Sequence, residues 1–94
     1  MAITMSIQLL PLVKNDKELY EIIDNAIEII GSSGLKFEVN AHSTIVEGDF
    51  ERLLEIVKKI KENTLKVSKR FVLNVQFDVS EKGVTIDEKT KKYR

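Results

Sequence analysis

Ala41-His42-Ser43-Thr44-Ile45-Val46-Glu47-Gly48-Asp49 is the stretch whose reading decides the fold. It leaves a tight turn of small polar residues, passes through Ile45 and Val46 as a strand, and runs straight into a helix. Gly48 allows a backbone turn that a side chain would hinder. Asp49 can accept a hydrogen bond from an unpaired amide at the start of that helix. The rest of the chain is placed relative to this segment.

Upstream, Leu35, Phe37 and Val39 alternate with Lys36, Glu38 and Asn40, the period-two pattern of a second strand. A short turn near Asn40–His42 joins it to a third strand, Ser43–Glu47. Further back, Ile3, Met5, Ile7 and Leu9 alternate with Thr4, Ser6 and Gln8, giving a first strand that Pro11 ends. Asn15 and Glu18 have capping-box spacing. Leu19, Ile22, Ile23, Ala26, Ile29 and Ile30 then recur at helical spacing, and Gly31-Ser32-Ser33-Gly34 stops that helix.

Downstream of Asp49, the apolar stripe Phe50, Leu53, Leu54, Val57 and Ile60 predicts a second helix running to about Val67. Phe71, Leu73, Val75, Phe77 and Val79 form one face of a fourth strand, with Val72, Asn74, Gln76 and Asp78 on the other. Past Lys82-Gly83, Thr85 and Glu88 repeat the capping-box spacing, so a short terminal helix is expected. It needs something to dock against, because so short a helix is marginal alone. The order β-α-β-β-α-β is the ferredoxin-like arrangement of the α+β class. Right-handed crossovers put both helices on one face of a four-stranded antiparallel sheet.

With 94 residues the chain is expected to be one domain, 1–94. Its 43% hydrophobic and 32% charged residues are those of an ordinary globular protein. Fifteen basic residues balance fifteen acidic ones, so nothing draws the chain electrostatically to nucleic acid or anionic membrane. Without cysteine there is no disulfide, thiolate metal site or cysteine nucleophile. The opening residues lack the basic flank and apolar run of a signal peptide, and no run is long enough for a membrane span, so a cytoplasmic location is expected.

The sheet face without helices displays Thr4, Ser6, Gln8, Asn74 and Gln76 by strand parity, joined by Ser43, Ile45 and Glu47 if Val46 faces the core. These amides and hydroxyls both donate and accept, which suits a neutral heterocycle, a wet subunit interface or plain solvent. Glu47 is a carboxylate among uncharged groups, and it caps the helix region in the plainest reading. His42 with Glu38, Glu47 or Asp49 lacks metal-ligand spacing. One histidine and no Ser-His-Asp arrangement leave nucleophilic catalysis without parts. The central strands carry none of the exposed aromatics of an RNA-recognition motif, and Pro11-Leu12-Val13-Lys14 is not the phosphate-cradling loop of an acylphosphatase.

Gly34-Leu35-Lys36-Phe37, the turn Ala41-His42-Ser43, and Thr44-Ile45-Val46-Glu47-Gly48 together resemble the thiamine-binding protein family. Lys69-Arg70-Phe71-Val72-Leu73, Val84–Lys89 and Lys92-Tyr93-Arg94 extend the resemblance over nearly the whole chain. The family turn is often Pro-Met-Gly, where this chain has Ala41-His42-Ser43. The resemblance implies a homo-oligomer, typically a dimer of dimers. It also implies non-catalytic binding of thiamine or its hydroxymethylpyrimidine half between strands and a neighbouring subunit. Ser43, Thr44, Gln8 and Asn74 are the candidate neutral partners of an aminopyrimidine, Glu47 its charged acceptor, and His42 a further partner by hydrogen bonding or stacking. Any aromatic wall comes from Tyr93 or another subunit. No cofactor and no metal are expected. The rival reading is a structural or regulatory homo-oligomeric module with no small ligand.

Overall fold

The computed structural model describes all residues, Met1–Arg94. Strand β1 (Ile3–Pro11) is followed by helix α1 (Asp16–Gly31), strands β2 (Lys36–Val39) and β3 (Thr44–Gly48), helix α2 (Phe50–Leu65) and strand β4 (Phe71–Asp78). A short helix α3 (Ile86–Thr90) and a 3-10 turn (Lys91–Tyr93) close the chain. The sheet is antiparallel in the order β2-β3-β1-β4, as the ferredoxin-like reading requires. No helix is long and apolar enough to cross a membrane.

The core lies between the sheet and the two long helices. Ile3, Met5 and Ile7 of β1 and Val46 of β3 meet Ala26 and Ile30 of α1 and Leu53, Ile56 and Ile60 of α2. The buried stripe of α2 is rotated from the expected one: Ile56 is buried, while Phe50 and Leu54 stand at its margin, 42% and 38% exposed. Phe50 packs edge-on against Phe77, ring centroids 5.1 Å apart. Strand β2 is a four-residue edge strand that the helices barely cover, so Val39 is exposed and Phe37 half-exposed despite their alternating pattern.

The helix ends separate two kinds of cap. Asn15 accepts from the Glu18 amide at 2.9 Å, and Thr85 accepts from the Glu88 amide at 3.1 Å, as their spacing predicts. Asp49 does not cap α2 with its side chain; that carboxylate faces the Met1 ammonium at 3.5 Å, and only its backbone carbonyl accepts, from the Leu53 amide.

Gly48 is needed for room and not for a left-handed turn, since only Gly34 and Gly83 have positive φ. A Cβ there would stand 2.8 Å from Leu35 Cδ1. Leu35 can yield a little to a methyl group and much less to a branched side chain. Gly48→Val is therefore expected to cost about 1–3 kcal/mol and Gly48→Ala less, measured by urea unfolding. Equal, negligible losses would mean that Leu35 does not hold this position.

Candidate functional site

The face of the sheet away from α1 and α2 is built in cross-strand rows. Lys36, Glu47, Thr4 and Asp78 form the first, Glu38, Ile45, Ser6 and Gln76 the second, and Gln8 with Asn74 the last. Charge is concentrated at the first end and absent from the last.

The charged end is covered by the chain's own terminus. Ile86 is buried at 2% exposure, and its N–H donates to Glu47 Oε1 at 2.7 Å. Lys36 pairs with Asp87 at 2.6 Å, Lys89 pairs with Asp78, and the Arg94 guanidinium forks onto both oxygens of Glu38 at 2.7 and 3.2 Å. The Asp87 carboxylate, by accepting a hydrogen bond from it, holds the Lys36 ammonium above the ordinary lysine pKa. Lys89 also donates to Thr4 Oγ1 at 2.8 Å, so Thr4 is buried beneath α3 and not displayed. Each exposed pair contributes about 0–1 kcal/mol. The burial of Ile86, worth about 1.5–3 kcal/mol, holds this strap down, and the pairs set its register.

The neutral end stays open. A cleft of about 400 Å³ lies there, lined by Ser6, Gln8, His42, Ser43, Asn74 and Gln76 among others. Asn74 Nδ2 donates to Gln8 Oε1 at 3.1 Å, which orients both amides and leaves each with free capacity. The exposed turn Ala41-His42-Ser43 forms its rim. Four of the six expected site residues, Gln8, His42, Ser43 and Asn74, thus converge, with Ser6 and Gln76 from the same parity set.

The profile of one family, described as thiamine-binding protein, matches residues 5–94. The chain belongs to the thiamine-binding protein family. A UPF0045 protein of Clostridium perfringens is 46% identical over 91 residues, spanning 96% of this chain and 95% of that one. A crystal structure from Thermotoga maritima, provisionally assigned to thiamine biosynthesis or salvage, superposes with a TM-score of 0.94 at 44% identity over 100% of both chains. A domain of unknown function from Bacillus cereus superposes with a TM-score of 0.91 at 34% identity, over 100% of this chain and 91% of that one.

Two expected residues of this thiamine-binding family member lie apart from the cleft. Thr44, in register with Ile7, turns to the helix side and is 7% exposed. Glu47 sits at the charged end, where one oxygen is taken by the Ile86 amide, so the helix it caps is α3. Tyr93 is 75% exposed, with the Lys92 ammonium 5.1 Å from its ring centre.

Proposed function

We propose that this chain binds thiamine, or its hydroxymethylpyrimidine half, without transforming it, in an assembly of identical subunits whose neighbouring copy closes the site. The observation that carries the reading is the convergence of Gln8, His42, Ser43 and Asn74 on one neutral cleft at the open end of the sheet. An aminopyrimidine sets a ring-nitrogen acceptor beside an amino donor. Amides and hydroxyls can match both without the desolvation cost that a charge would add. The cleft is shallow, and Asn74 and Gln76 remain exposed, so a small ligand gains a dry wall only when a second copy covers them. The lining supplies hydrogen bonds and no activated nucleophile, which fits a carrier, store or sensor better than an enzyme.

Thermal unfolding tests this directly. At a hundredfold excess over its dissociation constant, a ligand of the folded state stabilises by about 2.7 kcal/mol. For a domain of this size that raises Tm by about 10–20 °C. Thiamine or hydroxymethylpyrimidine is expected to give such a shift, and an unrelated heterocycle none. A stable oligomer that ignores both would leave the module without a small ligand as the better account.

A further inference from the structure

The second row of the open face, Glu38, Ile45, Ser6 and Gln76, runs along one side of a cavity of about 480 Å³. The strap closes the other side through Ile86, Lys89, Thr90 and Arg94. Small-molecule sites commonly measure about 300–1,000 Å³, so the space is large enough for one. Ser6 and Gln76 also line the neutral cleft, so the two spaces adjoin. Their chemistry differs, because the cleft has no carboxylate in its lining and the cavity has two, Glu38 and Asp78.

The two carboxylates are held differently. Asp78 is paired with Lys89, and the same ammonium donates to the buried Thr4 hydroxyl, so that cation is anchored at two points. Glu38 is hydrogen-bonded by Arg94 alone, through the guanidinium fork at 2.7 and 3.2 Å. Arg94 lies past the 3-10 turn with its side chain 59% exposed, against 27% for Glu38. Its guanidinium can swing into solvent while Ile86, Lys36–Asp87 and Lys89–Asp78 keep the strap in place. It then leaves a half-buried carboxylate in the cavity wall with two acceptor oxygens free.

We infer that this cavity is a binding site for a planar, forked cation (an amidinium, a guanidinium or a protonated amino-heterocycle) that takes Glu38 in place of Arg94. Arg94 is then a built-in competitor for the site. A carboxylate drawn partly out of water needs charged donors. Two parallel N–H groups in one plane reproduce the fork, whereas an ammonium is a point charge that cannot. The exchange is inexpensive, since an exposed ion pair contributes little and the ligand restores both hydrogen bonds. The body of the ligand rests on Ile45, within reach of the Ser6 hydroxyl and the Gln76 amide.

The probe is benzamidine, a planar cation at neutral pH, with the uncharged benzamide as its control. Both are titrated into the full chain by calorimetry and followed by amide NMR. Benzamidine is expected to move the amide signals of Glu38, Ile45 and Gln76, and benzamide to bind at least about tenfold more weakly. Glu38→Gln is expected to weaken benzamidine binding by about tenfold or more. Arg94→Ala is expected to strengthen it by about two- to sixfold, because the internal pair no longer competes. A residue that only held the strap would act in the opposite sense, its removal loosening the wall and weakening binding. Benzamidine that does not bind, Glu38→Gln that binds it as well as the wild type, or Arg94→Ala that binds it no more tightly overturns the proposal. Neither variant touches Gln8, His42, Ser43 or Asn74, so a ligand of the neutral cleft is expected to bind both as it binds the wild type.

Discussion

Leu53→Ala is expected to cost about 3–4 kcal/mol, because Leu53 is fully buried in the nine-residue core cluster and the helix and sheet around it cannot collapse onto the gap. A domain of this length has about 5–14 kcal/mol of stability in all. The loss therefore lowers Tm by about 12–30 °C at fixed protein concentration. Leu54, the next residue, is 38% exposed, and Leu54→Ala is expected to cost under about 1 kcal/mol. The pair fixes which face of α2 meets the sheet. Similar losses at both positions would contradict the helix phase described above, and with it the placement of Ile56 in the core.

That phase shows where the sequence was legible. Alternation in β1 and β4 and the helical spacing in α1 were strong enough to give element order and topology, since each pattern matches a single period over many residues. In α2, Phe50, Leu53, Leu54, Ile56, Val57 and Ile60 offer more apolar positions than one face can bury. Spacing alone does not choose between Leu54 and Ile56; the packing of α2 against the sheet does, burying Ile56 and leaving Leu54 38% exposed. Gly48 was legible as a position needing glycine, but its reason was not, because the approach of Leu35 is a tertiary contact.

The site divides in the same manner. Strand parity put Gln8 and Asn74 on one face of the sheet, and the register of β1 with β4 then sets them directly opposite each other. The turn at Ala41–Ser43 was visible from its small polar residues, but that it brings His42 and Ser43 beside Gln8 and Asn74 follows from the strand order β2-β3-β1-β4 and the register. Thr44, a candidate partner beside the family resemblance, faces the helix side: a strand starting at Thr44 with Val46 inward must turn Thr44 inward too. Of the strap, only the helix could be read, and not where it docks. Thr85 and Glu88 announced a short helix, but nothing local says that Asp87, Lys89 and Arg94 will find Lys36, Asp78 and Glu38 across the sheet.

Glu47→Ala is expected to release that strap. The carboxylate is the partner of the Ile86 amide, and a charge-assisted bond of this kind contributes about 1.5–3 kcal/mol. Its loss should raise amide exchange across Ile86–Thr90 by about 10–100-fold, with the amides of β1 and α2 unaffected, because opening is local and the core does not depend on α3. Glu47→Gln keeps an acceptor oxygen in the same place and should give a much smaller change. The same two variants decide the role of Glu47 toward a ligand. If the ligand sits at the turn end of the sheet, stabilisation by thiamine or hydroxymethylpyrimidine is the same in Glu47→Gln as in the wild type. If instead Glu47→Gln keeps α3 protected yet loses that stabilisation, the carboxylate contacts the ligand, and the site must extend under the strap.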